Sequence, residues 1–153
     1  PPLSTAICKF KYEKQTYLAH FFVRLIVESL ADLNVDRVMA VPLHPNRLRH
    51  REFNQSLLLA KGIAETLSIP LSIDALIRTR ETVPQVGLSK KEREENIKGA
   101  FGVVRLNEVE GQRILWVDDV YTTGATLKEG ARVLMQEGAK TVIAFAPARM
   151  VLQ

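Results

Sequence analysis

Arg113-Ile114-Leu115-Trp116-Val117-Asp118-Asp119-Val120-Tyr121-Thr122-Thr123-Gly124-Ala125-Thr126 is the stretch on which the fold turns. Ile114 to Val117 is a short, continuous apolar run, the pattern of a strand buried on both faces of a parallel sheet. Asp118 and Asp119 stand where that strand ends. Thr122, Thr123 and Gly124 follow, and from Leu127 a helical spacing takes over with Ala131, Val133, Leu134 and Met135. In an open α/β sheet, ligands bind in the crevice beyond the carboxyl ends of the strands. A loop of small residues opening a helix presents backbone N–H groups and the positive end of the helix dipole, which together suit a phosphate. Thr122, Thr123 and Thr126 add hydroxyl donors, and Gly124 lets the backbone approach closely. The two ionised Asp side chains only accept, so they suit sugar hydroxyls or a bound Mg²⁺. The stretch predicts a ribose 5-phosphate site.

Rival readings fail on spacing. The metal-binding strand of a P-loop NTPase needs a companion G-x-x-x-x-G-K-[ST], and the chain contains none. An aspartyl-phosphate phosphatase separates its two acids by one position, whereas Asp118 and Asp119 are adjacent. A purely structural strand–turn–helix has no use for neighbouring carboxylates, which repel each other. The whole stretch closely resembles the phosphoribosyl-pyrophosphate (PRPP) binding motif of the type I phosphoribosyltransferases, with its apolar strand, two acids and Thr-Thr-Gly loop.

The bulk numbers fit one globular domain over residues 1–153, with 46% hydrophobic and 25% charged residues. The most apolar early run, Phe21 to Val27, is broken by Arg24 and too short to span a bilayer, so no membrane insertion and a cytoplasmic location are expected. The single cysteine, Cys8, excludes an internal disulfide and cannot build a zinc site alone. A net charge of +4 is compatible with PRPP or nucleic acid as an anionic ligand and decides for neither.

Pro1 to Phe10 carry little pattern, and without an initiating Met the chain reads as a fragment. From Lys14 to Leu33 the residues Leu18, Phe21, Phe22, Leu25, Ile26, Leu30 and Leu33 form a helical stripe. Arg37 to Val41 reads as a strand stopped by Pro42. The loop from Pro42 to Phe53 holds His44, Arg47, Arg49, His50 and Arg51 with no acid before Glu52, a candidate for holding pyrophosphate. Asn54 to Leu67 is helical, and Gly62 inside it implies close packing against a neighbour. Leu71 to Ile77 is strand-like. A long polar stretch follows to Gly99, in which Ser89 and Glu92 form a capping box for a helix over Lys90 to Ile97. A connection of this length in a compact domain is usually a lid or binding loop, the alternative being an excursion that only links strands. Phe101 to Arg105 and Thr141 to Ala146 are further strands, and Gly138 ends the helix after the motif.

Val41-Pro42-Leu43, Arg47, Arg51-Glu52-Phe53-Asn54-Gln55-Ser56, then Arg78, Arg80, Gln85, Leu88, Arg93, Asn96 and Phe101, together with the PRPP-like stretch, resemble the ComF family. These are phosphoribosyltransferase-like proteins associated with DNA uptake in natural competence. The resemblance implies an α/β, type I phosphoribosyltransferase-like fold, a mainly parallel sheet of about five strands flanked by helices. It implies a flexible lid over Arg78 to Asn96, with Arg78, Arg80, Gln85 and Arg93 as its named residues. It implies a pyrophosphate-side loop at Pro42, Leu43, His44 and Arg47, and a phosphoribosyl-binding loop at Asp118, Asp119, Val120, Tyr121, Thr122, Thr123, Gly124, Ala125 and Thr126. Asp118 and Asp119 would be the catalytic pair, and Mg²⁺ would arrive with PRPP rather than in a protein cage. The activity implied is Mg²⁺-dependent transfer of the 5-phosphoribosyl group to an acceptor the sequence does not identify, and no residue is an obvious general base.

The alternative is a non-catalytic DNA-uptake factor that binds single-stranded DNA or nucleotides through Arg47, Arg49, Arg51, Lys90, Lys91 and Arg93. A DNA-uptake helicase is its expected partner, and a second copy of the chain is an expected partner in either reading. Two departures from the family stand out. Its N-terminal cysteine-rich zinc module has no counterpart beyond Cys8, and Glu52 occupies the position before Phe-Asn-Gln-Ser where the family usually has Gly.

Overall fold

The computed structural model describes residues 18–46, 54–83 and 87–149, with side chains of the first helix described from Val23 onward. Helix α1 (Leu18–Leu30) leads into strand β1 (Arg37–Ala40), then helix α2 (Gln55–Leu67) and the short strands β2 (Leu71–Ser72) and β3 (Leu76–Arg78). Helix α3 (Lys90–Ile97), strand β4 (Phe101–Val103), a 3₁₀ turn, strand β5 (Arg113–Val117), helix α4 (Ala125–Gln136) and strand β6 (Thr141–Phe145) complete the order.

The main sheet is parallel, four strands in the order β2-β1-β5-β6. Its two inner strands are buried on both faces. Val38 and Ala40 of β1, with Leu115 and Val117 of β5, meet Val23 and Leu30 of α1 and Leu59, Ala60, Ile63 and Ala64 of α2. On the other face Met39, Ile114 and Trp116 meet Leu127, Val133 and Leu134 of α4. Ile114 to Val117 are all fully buried, as their unbroken apolar run requires. The close approach inferred for Gly62 is against α1, since a Cβ there would stand 2.8 Å from Val23 Cγ2.

The remaining strands do not extend this sheet. Leu71 to Ile77, expected as one strand, breaks at residues 73–75. Ile73 turns out to solvent there, and the Asp74 carboxylate takes a 2.6 Å hydrogen bond from Arg105. β2 stays with β1, while β3 pairs antiparallel with β4 in a separate two-stranded unit. The expected strand over Phe101 to Arg105 stops at Val103; the Val104 N–H still bonds the Ala75 carbonyl next in the β3–β4 register, and the Arg105 N–H shares that acceptor instead of continuing the ladder. The fold class holds, with four parallel strands where about five were expected.

α3 begins and ends as its sequence dictates. Ser89 Oγ accepts from the Glu92 N–H, Glu92 Oε2 accepts from the Ser89 N–H, and Gly99 takes the positive φ that follows the helix. The Ser89 donors hold the Glu92 carboxyl below the usual carboxylate range.

Candidate functional site

The strand order creates the site. From β1 the chain crosses by α2 to β2 on one side, and from β5 it crosses by α4 to β6 on the other, with α2 and α4 on opposite faces. The carboxyl ends of β1 and β5 are therefore adjacent, and the connections leaving them diverge. Such a switch point opens a crevice above the sheet.

The loop after β5 carries the expected residues. Asp118 continues the ladder, its N–H donating to the Phe145 carbonyl at 2.9 Å, and both acids are half-buried. One oxygen of Asp118, Oδ1, accepts from Ser56 Oγ at 3.0 Å and from the Asp119 N–H at 2.9 Å. Val120 is buried, and the Tyr121 N–H donates to the Ala148 carbonyl at 2.7 Å, which lays residues 147–149 alongside the loop. Gly124 is the N-cap of α4, with φ +76° and no side chain to cap the first turn. A Cβ at Gly124 would meet the Tyr121 ring at 2.7 Å, so both backbone and space demand glycine. One short loop thus leads from the carboxylate pair to the opening of α4, with Thr122, Thr123 and Thr126 half-buried along it.

Across the crevice, Pro42, Leu43 and His44 follow β1 and are half-buried. The Val41 N–H bonds the Val117 carbonyl at 2.8 Å, so the two loops leave the sheet side by side. Asn46 joins this loop to the lid segment, its Nδ2 donating to Glu81 Oε2 at 2.9 Å. Arg47, with Arg49, Arg51 and Glu52, lies outside the described residues, as does Gln85 of the lid.

The described arginines of the expected lid, Arg78, Arg80 and Arg93, are each engaged by groups between residues 78 and 101. Arg78 is buried, donates to Thr82 Oγ1 at 2.7 Å and stacks 5.2 Å from the Phe101 ring centre. Arg80 Nη2 donates to the carbonyls of Asn96 and Lys98. Arg93, expected as a phosphate contact, is buried, with Nε donating to the Leu88 carbonyl at 2.8 Å. Asn96 bonds both the N–H and the carbonyl of Val83. Lys90 and Lys91 are exposed on α3.

Glu129 carried no signal in the sequence, and Ser56 entered only within the Phe-Asn-Gln-Ser segment of the resemblance, with no role assigned to it. Glu129 of α4 is buried, accepts from the Gly99 N–H at 2.8 Å, and so ties the root of the lid to the helix that opens at the site. The Arg132 guanidinium beside it holds its carboxyl below the usual range. Ser56 reaches Asp118 across 62 positions of sequence. An acid within a helical stripe, or a serine after an N-cap asparagine, is ordinary on its own.

For metal, the described residues hold no cluster of three or more His, Cys, Asp or Glu side chains. The Asp118–Asp119 pair offers hard oxygen ligands to an ion that draws its other ligands from a bound molecule. That is how Mg²⁺ sits beside phosphates.

This fold and this site define a class. Residues 54–149 match the phosphoribosyl transferase domain family. The fold is shared with APRTase from Giardia lamblia complexed with 9-deazaadenine, at a TM-score of 0.61 and 13% identity over 90% of this chain and 82% of that one. Competence protein F of Haemophilus influenzae is 33% identical over 97% of this chain and 68% of its own length. DNA utilization protein YhgH of Shigella flexneri is 37% identical over 93% of this chain and 65% of its own. The chain belongs to the competence protein F (ComF) family, built on the phosphoribosyl transferase domain. It spans about two thirds of the length of these curated relatives.

Proposed function

We propose that this chain binds PRPP with Mg²⁺ and transfers its 5-phosphoribosyl group to an acceptor nucleophile. The observation that carries this reading is the opening of α4 at Gly124 beside the Asp118–Asp119 pair, at the switch point between β1 and β5. The 5-phosphate is bound by the first-turn N–H groups of α4 and the hydroxyls of Thr122, Thr123 and Thr126. The ribose hydroxyls donate to Asp118 and Asp119. The pyrophosphate lies toward Pro42, Leu43, His44 and Arg47. Bound Mg²⁺, held by one or both carboxylates and by ligand oxygens, would neutralise the leaving pyrophosphate.

In the transfer, the bond from the anomeric carbon to pyrophosphate breaks, and a bond from the acceptor to that carbon forms. Positive charge develops on the sugar ring, and the fixed carboxylates stabilise it. The lid segment, with Arg78, Arg80, Gln85 and Arg93, excludes water from that cationic centre. Incubation with PRPP, Mg²⁺ and a panel of purine and pyrimidine bases tests the transfer through pyrophosphate release. Release that requires one acceptor class supports it. No release with any acceptor, by a protein that binds PRPP, would remove the transfer step.

The relatives named for competence and DNA utilization favour a second reading, in which the same fold binds single-stranded DNA without turnover, alongside a helicase partner. Exposed Lys90 and Lys91 remain as phosphate contacts, together with Arg47, Arg49 and Arg51. Each single-strand phosphate neutralised contributes about −0.7 to the slope of log K against log salt. Arg49→Ala with Arg51→Ala should flatten that slope, and PRPP should compete for the same crevice. DNA binding indifferent to both would leave the transferase reading. A cytoplasmic location is part of either proposal. Among the described residues, no helix is long and apolar enough to cross a membrane.

A further inference from the structure

We propose that Ser56 is a positioning residue for the carboxylate Asp118. This rests on the phosphoribosyl-binding reading above and assigns a role to the segment Asn54-Gln55-Ser56, which that reading does not use. All three are polar and drawn inward, with Gln55 and Ser56 buried at 3% and 5% exposure. Asn54 accounts for the helix start by itself. Its Oδ1 accepts from the Ser56 and Leu57 N–H groups, and its Nδ2 donates to the Val41 carbonyl at 2.9 Å. The Ser56 hydroxyl is therefore not needed to cap α2. It donates instead to Asp118 Oδ1.

The consequence is geometric. The first turn of α2 is tied to the end of β1 by Asn54 and to the acid at the end of β5 by Ser56, so it spans the switch point. Two donors on one oxygen, Ser56 Oγ and the Asp119 N–H, fix the carboxylate plane and hence the direction of Asp118 Oδ2. A ribose hydroxyl must find that oxygen at about 2.7 Å to bond well. A carboxylate free to rotate would have to be ordered on binding, whereas this one is ordered beforehand. Phosphate recognition is separate, since the reading above assigns it to the opening of α4 and not to Asp118. Ser56 should matter for the sugar and not for the phosphate.

The test uses wild type, Ser56→Ala and Ser56→Thr, each titrated with ribose 5-phosphate and with inorganic phosphate in the presence of Mg²⁺. Emission from Trp116, the only tryptophan, or calorimetry gives the affinities. Ser56→Ala should bind ribose 5-phosphate roughly tenfold more weakly, with inorganic phosphate unchanged. Ser56→Thr keeps the hydroxyl and should restore the sugar affinity, with thermal unfolding confirming that both variants fold. Equal losses for both ligands would mean a general disturbance of the loop and would overturn the assignment. So would no loss for either, or a threonine variant no better than alanine. If wild type itself ignores ribose 5-phosphate, the phosphoribosyl reading falls first and the role of Ser56 with it.

Discussion

Gly124 shows how much one residue controls. Its φ of +76° lies where L side chains are strained, and a Cβ would press on the Tyr121 ring. Gly124→Ala should therefore move Tyr121 or the loop backbone, and spoil the approach of a phosphate to the opening of α4. The expected result is loss of inorganic phosphate binding, with unfolding lowered by only about 1–3 kcal/mol. Retained phosphate affinity would place the anion elsewhere. The placement of Asp118, Asp119 and the threonines between the end of a buried strand and the opening of a helix was legible in the sequence, because an apolar strand, acids and a glycine-opened helix are local signals. The Ser56–Asp118 bond was not, since its partners lie 62 positions apart and nothing in either neighbourhood announces the other.

Among the elements, α4 packs closely on β5. A Cβ at Gly130 would stand 2.5 Å from Trp116 Cζ2, and the buried indole Nε1 has no hydrogen-bond partner among the described residues. Gly130→Ala should push α4 off β5, an overpacking cost of about 1–3 kcal/mol that outweighs the roughly 1 kcal/mol gained in helix propensity. A lower urea midpoint with altered tryptophan emission is expected, and a stabilised protein would contradict the packing described. For the lid, Asn96→Ala removes both of its bonds to Val83. Amide exchange over residues 79–83 should quicken, and PRPP with Mg²⁺ should slow exchange across α3 in wild type if the segment closes over ligand. Exchange in α3 indifferent to PRPP would count against a lid. α3 was legible to the residue because its capping box and terminal glycine are local. The split of Leu71 to Ile77 into β2 and β3 was hidden, because Leu71, Ile73, Ala75 and Ile77 keep the alternation of one strand. A contact between Asp74 and Arg105, 31 positions apart, marks the bend.

At the scale of the whole molecule, the start of β1 is bolted to β5 by Asp36, which accepts from both Nε and the backbone N–H of Arg113 at 2.9 Å. These donors hold the Asp36 carboxyl well below the usual range. A depressed carboxyl contributes stability that is fully present above its unfolded value, about 3.9, and is lost as the pH falls below it toward the folded value. Asp36→Asn should therefore be less stable than wild type at pH 7, with the gap narrowing as the solution is acidified below pH ~4. A gap constant with pH would show that the pair contributes no linkage. The fold class was legible from the apolar run of β5 together with the family resemblance its stretch carries, whereas the strand order that places the β1 and β5 loops side by side needed the structure. The central claim is that those two loops form a PRPP site, and calorimetric titration of PRPP with Mg²⁺ into wild type and Asp119→Ala tests it directly. Binding by wild type, weakened roughly ten- to hundredfold in the folded variant, is the result expected when a hydrogen bond to a charged group is lost. Absence of binding to wild type, or equal affinity in both proteins, would contradict the claim.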